Sequence, residues 1–144
     1  MTAKCTNPAP AECCAWLARV KTIAVVGLSP KTDRPSHAVA RAMQAFGFRI
    51  IPVRPGVAEV LGEKAYGRLA DVPMPIDLVD VFRAAAHLDA LVDECIALGL
   101  PALWIQEGIV NESAAQRARA AGITVVMDRC LYKDYRRYCR PKVV

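Results

Sequence analysis

Apolar residues along the chain follow two alternating rhythms. Short, nearly unbroken runs occur at 23–28 (IAVVGL), 48–53 (FRIIPV), 76–82 (IDLVDVF), 102–106 (ALWIQ) and 123–127 (ITVVM). Runs of this length bounded by turn residues read as buried strands. Between them apolar positions recur every three or four residues. Val39, Ala42, Met43 and Phe46 mark one helix, with Ser36 as the expected N-cap. Leu88, Leu91, Val92 and Cys95 mark a second, and an Ala-rich third runs from a cap at Asn111 to Ala121. Residues 10–20 read as a short leading helix, and 57–75, broken by Gly62, Gly67, Pro73 and Pro75, as irregular chain.

Gly47, Gly99 and Gly122 each stand between a helix and the next strand, where a left-handed turn is needed. Strands alternating with helices imply right-handed crossovers and a parallel sheet covered on both faces. The expected fold class is therefore α/β, a Rossmann-like doubly wound sheet of five strands in three α/β/α layers. The expected strand order is 3-2-1-4-5, with a ligand crevice at the switch point between strands 1 and 4. One domain over 1–144 is expected, with a core at 20–131 and a basic tail at 132–144.

Composition narrows the class. Of 144 residues, 54% are hydrophobic and 23% charged, enough for a sizeable core. No signal pattern or membrane-length apolar run appears, so a cytoplasmic location is expected. The net charge of +5 is local: residues 129–144 hold six cations and one acid, and the first 128 residues balance at 13 and 13. A nucleic-acid reading rests on that tail alone, where Tyr132, Tyr135 and Tyr138 interleave with cations; a docked or frayed segment is the expectation. Cys5, Cys13, Cys14, Cys95, Cys130 and Cys139 form no CxxC pair. They are expected as reduced thiols, and no metal site is expected because His37 and His87 lack ligand spacing to a Cys pair.

The strand ends carry the chemistry. The first strand runs into Gly27-Leu28-Ser29-Pro30, with Lys31 and Arg34 before the next helix. Glycine allows close backbone approach, and cations with Ser29 and Ser36 hydroxyls at a helix start favour a phosphate. The loop is neither GxGxxG nor a P-loop. The second strand ends in Val53-Arg54-Pro55, where a dinucleotide site that reads a free ribose has an acid; a cation suits a phosphorylated ribose, as in NADP or coenzyme A. Val81, Phe82 and Arg83 end the third strand, and Trp104, Gln106 and Gly108 mark the fourth, with Trp104 expected in the core. Asp77 and Asp80 are expected to make structural hydrogen bonds, His37 and His87 to sit at the surface, and Cys130 to be buried or idle. No nucleophile elbow exists, so no catalytic residue is assigned.

These segments together (IAVVGLSPKTDRPSHAVA, IIPVRPG, VLGEKAY, LADVP, IDLVDVFR, ALWIQEGIVNE and AGITVVMDRC) resemble the stand-alone bacterial CoA-binding proteins and the CoA-binding domain of the succinyl-CoA synthetase alpha subunit. The resemblance covers 20–131. It implies that Gly27, Ser29 and the 30–36 loop face the CoA phosphates, that Val53, Arg54 and Pro55 flank the adenosine, and that Val81, Phe82, Arg83, Gln106 and Gly108 complete the cleft. Where the family reads V-N-P and Q-L-G, this chain has Val53-Arg54-Pro55 and Gln106-Glu107-Gly108. The synthetases use a phosphohistidine on a second domain that this chain is too short to hold. The expectation is a non-enzymatic module for CoA or an acyl-CoA, with a homodimer as an open option. An NADP-dependent oxidoreductase and binding of an anionic partner through the tail remain the alternatives.

Overall fold

In the computed structural model, residues 6–140 are described; Cys5 and Lys142 of the tail lie outside them. The elements are α1 (Pro10–Leu17), β1 (Thr22–Val26), α2 (Pro35–Ala45), β2 (Arg49–Val53), a small antiparallel pair β3 (Glu59–Val60) and β4 (Glu63–Lys64), β5 (Leu78–Val81), α3 (Leu88–Ala97), β6 (Ala102–Ile105), α4 (Glu112–Ala120), β7 (Thr124–Met127) and α5 (Leu131–Asp134). A π-helical turn, Tyr135–Cys139, follows α5. Gly47, Gly99 and Gly122 take the left-handed conformation, at φ 107°, 65° and 89°.

Five parallel strands form the main sheet in the order β2-β1-β5-β6-β7. Side chains alternate between its faces. Ile23 and Val25 join one core with Leu17, Val39, Met43 and Leu131, beneath α1, α2 and α5. Ala24 and Val26 join the other with Val92, Cys95, Ala115 and Ala118, beneath α3 and α4. The doubly wound three-layer class is as expected.

The strand order is not. Counting only the five long strands, it is 2-1-3-4-5, so the third strand pairs with the first rather than outside the second. The cause is Pro52. Its carbonyl points away from β1 and accepts from Tyr66 N at 3.0 Å. Its missing N–H therefore faces the outer edge of β2, where another strand would lose a ladder bond. That edge is instead covered by the 54–66 segment, with Arg54 N donating to Tyr66 O at 2.8 Å. The switch point consequently lies between β1 and β5.

Two further expectations change. Helix α2 starts two residues earlier than expected: Arg34 is the N-cap and Pro35 takes the first helical position, for which its fixed φ is suited. This puts both Ser36 and His37 inside, so His37 is buried rather than at the surface. Cys14 and Cys139 form a disulfide rather than two free thiols. Their separation of 125 residues gives no local spacing signal; they meet only because the C-terminal turn packs on α1. Cys13, Cys95 and Cys130 are free and buried.

Among the described residues, no helix is long and apolar enough to cross a membrane. No cluster of His, Cys, Asp and Glu in that region is placed to hold a metal ion.

Candidate functional site

The carboxyl ends of β1, β2 and β5 converge at Gly27. Its N–H donates to Val53 O at 2.9 Å, and the Phe82 N–H donates to Val26 O at 2.9 Å. Gly27 has φ +85°, and a Cβ there would lie 2.5 Å from Phe82 O. Glycine is required twice over, by backbone conformation and by space.

The loop after Gly27 is held by its own serines. Ser36 Oγ accepts from Ser29 N at 3.0 Å, and Ser29 Oγ accepts from Lys31 N at 3.1 Å. Each hydroxyl uses a lone pair in this way and keeps a proton to donate. Arg54 is no free loop residue: its Nη1 donates to Gly27 O at 3.2 Å, which draws the guanidinium across the loop.

Three cavities occupy this edge. The first, about 690 Å³, is lined by Gly27, Ser29, Pro30, Lys31, Arg34 and Ser36, and by Arg54, Pro55 and Phe82. Nine of the fifteen expected site residues therefore share one cavity. Its lining contains three cations and no acid. The first turn of α2, with its partial positive charge, opens onto it through Pro35.

The second cavity, about 210 Å³, lies on the α3 side. Val53, Pro55 and Arg83 line it with Val26, Leu69 and Leu91, and Arg68, His87 and Glu94 add polar groups. The third, about 400 Å³, lies between α2 and the ends of β5 and β6. Phe82, Arg83 and Gln106 line it with Pro35, Val39 and Cys130.

Three expected residues do not reach these cavities. Leu28 and Val81 are fully buried, one in each core. Gly108 is turned away, its N–H donating to Asp128 Oδ1 at 2.7 Å. That bond braces Asp128, whose φ of 61° is left-handed. Of the missed lining residues, Pro35 and Val57 adjoin expected positions, whereas Arg68 and Cys130 come from segments distant in sequence. Arg68 lies in a stretch without periodicity, so nothing local marked it.

The remaining polar residues divide sharply. Asp77 Oδ2 accepts from Lys21 N and Thr22 N, each at 3.0 Å, a structural role as expected. Asp80 is different. It is 1% exposed, and neither carboxylate oxygen has a hydrogen-bond partner. Burial pushes its carboxyl well above the usual range. Trp104 is fully buried, with Nε1 donating to Arg129 O at 2.8 Å.

A parallel sheet with a cation-lined crevice at its switch point is the arrangement of the doubly wound nucleotide-binding class. Residues 21–136 match the CoA binding domain family, and the chain belongs to that family. It is 46% identical over 125 residues to the uncharacterized protein YneT of Bacillus subtilis strain 168, covering 87% of this chain and 93% of YneT. A solved protein from Thermus thermophilus superposes with a TM-score of 0.87 at 37% identity, covering 91% of this chain and 99% of that one. The ADP-forming acetate–CoA ligase of Methanocaldococcus jannaschii is 25% identical over 80 residues, which is 56% of this chain but 11% of the ligase. The chain is thus similar both to proteins of about its own length and to a short segment of a much larger ligase.

Proposed function

We propose that this protein binds coenzyme A or an acyl-CoA as a non-catalytic module. The observation that carries the reading is the first cavity, in which Lys31, Arg34 and Arg54 converge on the glycine-gated loop at the switch point. CoA brings a diphosphate, a phosphorylated ribose, an adenine ring and a thiol-bearing arm. The Ser29 and Ser36 hydroxyls, with Lys31 and Arg34, suit the diphosphate. Arg54, at the end of β2, suits the 3′-phosphate. Val53, Leu69 and Leu91 offer the adenine an apolar slot in the second cavity. Membership of the CoA binding domain family supports the same ligand.

Thermal unfolding tests this. A ligand that binds only the folded state raises the melting temperature by mass action. CoA should raise it, dephospho-CoA should raise it less, and Arg54→Ala should remove most of the difference. No shift with CoA, or an equal shift with NADPH, overturns the reading.

A further inference from the structure

The third cavity is unlike the other two. Its walls are mainly apolar, and it shares Pro35 and Phe82 with the cation-lined cavity, so the two adjoin. The free thiol of Cys130 is part of its wall. Of the other free thiols in the described residues, Cys13 borders a separate cavity beside α1. Cys95 is sealed in the opposite core, where burial pushes it up to about 12.

Asp80 lies behind the same space without lining it. Strand alternation puts Asp80 on the sheet face that carries Phe82, and its register partner on β6 is Trp104, two residues before Gln106. Its carboxyl thus lies one pleat behind two residues of the cavity wall. It is almost wholly buried and bonded to nothing. A carboxyl in that state is a hydrogen-bonding group without a partner, in a protein interior where such groups are ordinarily paired. Gln106 in the wall is also buried, its Oε1 taken by Leu131 N at 3.2 Å. An arm carrying amides and ending in sulfur matches this set: amides for Gln106, methylenes for the apolar wall, sulfur for Cys130.

We propose that Cys130 undergoes thiol–disulfide exchange with a CoA disulfide held across the two cavities, leaving a Cys130–CoA mixed disulfide. This rests on the CoA reading above. The Cys130 thiolate attacks one sulfur of the CoA disulfide. A bond forms between Sγ and that sulfur, the sulfur–sulfur bond of the CoA disulfide breaks, and the departing CoA thiolate takes up the proton that Cys130 released. Cys130 is oxidised and the released CoA is reduced. The event is a stoichiometric capture and involves no turnover.

Full-length protein, without reductant, is mixed with CoA disulfide and followed by intact mass and peptide mapping. The expected product carries one CoA on Cys130. It should form at least about tenfold faster than the adduct from oxidised glutathione, because binding delivers the sulfur to the thiol. Arg54→Ala should erase that advantage, Cys130→Ser should abolish the adduct, and Cys95→Ala should keep it. Mapping on the wild-type protein stands even where a variant fails to fold. An adduct on Cys13, Cys14 or Cys139, or equal rates with both disulfides, overturns the proposal. So does the absence of any adduct in a protein whose melting temperature rises with CoA, a result that leaves the binding reading intact. Absence of that rise in the wild-type protein overturns both.

Discussion

The crevice has two unlike halves that meet at Phe82. On the β1–β2 side, the wall is cationic and comes largely from one contiguous loop, residues 27–36, with Arg54 drawn over it. On the β5–β6 side, the wall is mainly apolar and is gathered from α2, the ends of two strands and Cys130. The first half depends on a glycine and a few short hydrogen bonds. The second is completed by Cys130 from the chain that folds back after β7. Trp104 Nε1 holds Arg129 O, Arg129 forms a two-point ion pair with Asp134, and Tyr135 packs on Phe46 and Phe48 with ring centroids 5.1 and 5.2 Å away. Charge recognition is thus locally built, while the apolar slot is a product of tertiary packing.

The largest effect should come from cutting the tie that holds the C-terminal turn to α1. The Cys14–Cys139 disulfide spans 125 residues. Closing so long a loop stabilises by about 5 kcal/mol in the chain-entropy account. Cys139→Ser should lower stability by that order in denaturant titration; an unchanged midpoint would detach the staple from the comparison. Next is Gly27→Ala, which forces a side chain into a left-handed position against Phe82 O. It should cost about 2–3 kcal/mol and abolish the CoA-induced thermal shift.

Arg54→Ala should be smaller and selective. Loss of one charge-assisted contact should weaken CoA about tenfold, near 1.4 kcal/mol, and leave dephospho-CoA within error in calorimetric titration. Equal weakening of both would mean that Arg54 serves the loop through Gly27 O rather than the ligand.

Asp80 sharpens the comparison through pH. Its folded pKa is raised above the unfolded value, so the native state keeps a proton that the unfolded chain has released. Stability from this group is therefore full below the unfolded pKa and lost as pH climbs towards the folded one. Asp80→Asn should raise the melting temperature by a few degrees at about pH 8 and change it little at about pH 4. A parallel offset at both would show that burial does not control its ionisation. The smallest effect belongs to Lys133→Ala. Its ion pair with Glu107 is exposed, and melting should stay unchanged.

Much of the fold was legible from one-dimensional pattern. The five runs, the helices between them and the Asn111 cap all formed, the last with Asn111 Oδ1 accepting from Ala114 N at 3.1 Å. Strand order was readable in principle, because a proline inside a strand marks an edge; Pro52 carried that information and the expected order 3-2-1-4-5 overlooked it. The cationic half was legible because its residues are neighbours in sequence and occupy a loop whose place follows from the fold class. Arg68 and the Cys14–Cys139 bond were not, since no spacing rule connects residues that meet only across the folded chain.

By itself, the sequence determined the α/β class, the position of the phosphate-suited loop and the cation at the end of β2, because periodicity and turn chemistry act over a few residues. Only the tertiary structure decided that the crevice opens between β1 and β5, that Asp80 is left without a partner, and that Cys130 stands in the wall of the apolar half. Burial and contact here are set by segments tens of residues apart, and no local pattern encodes which of them will meet.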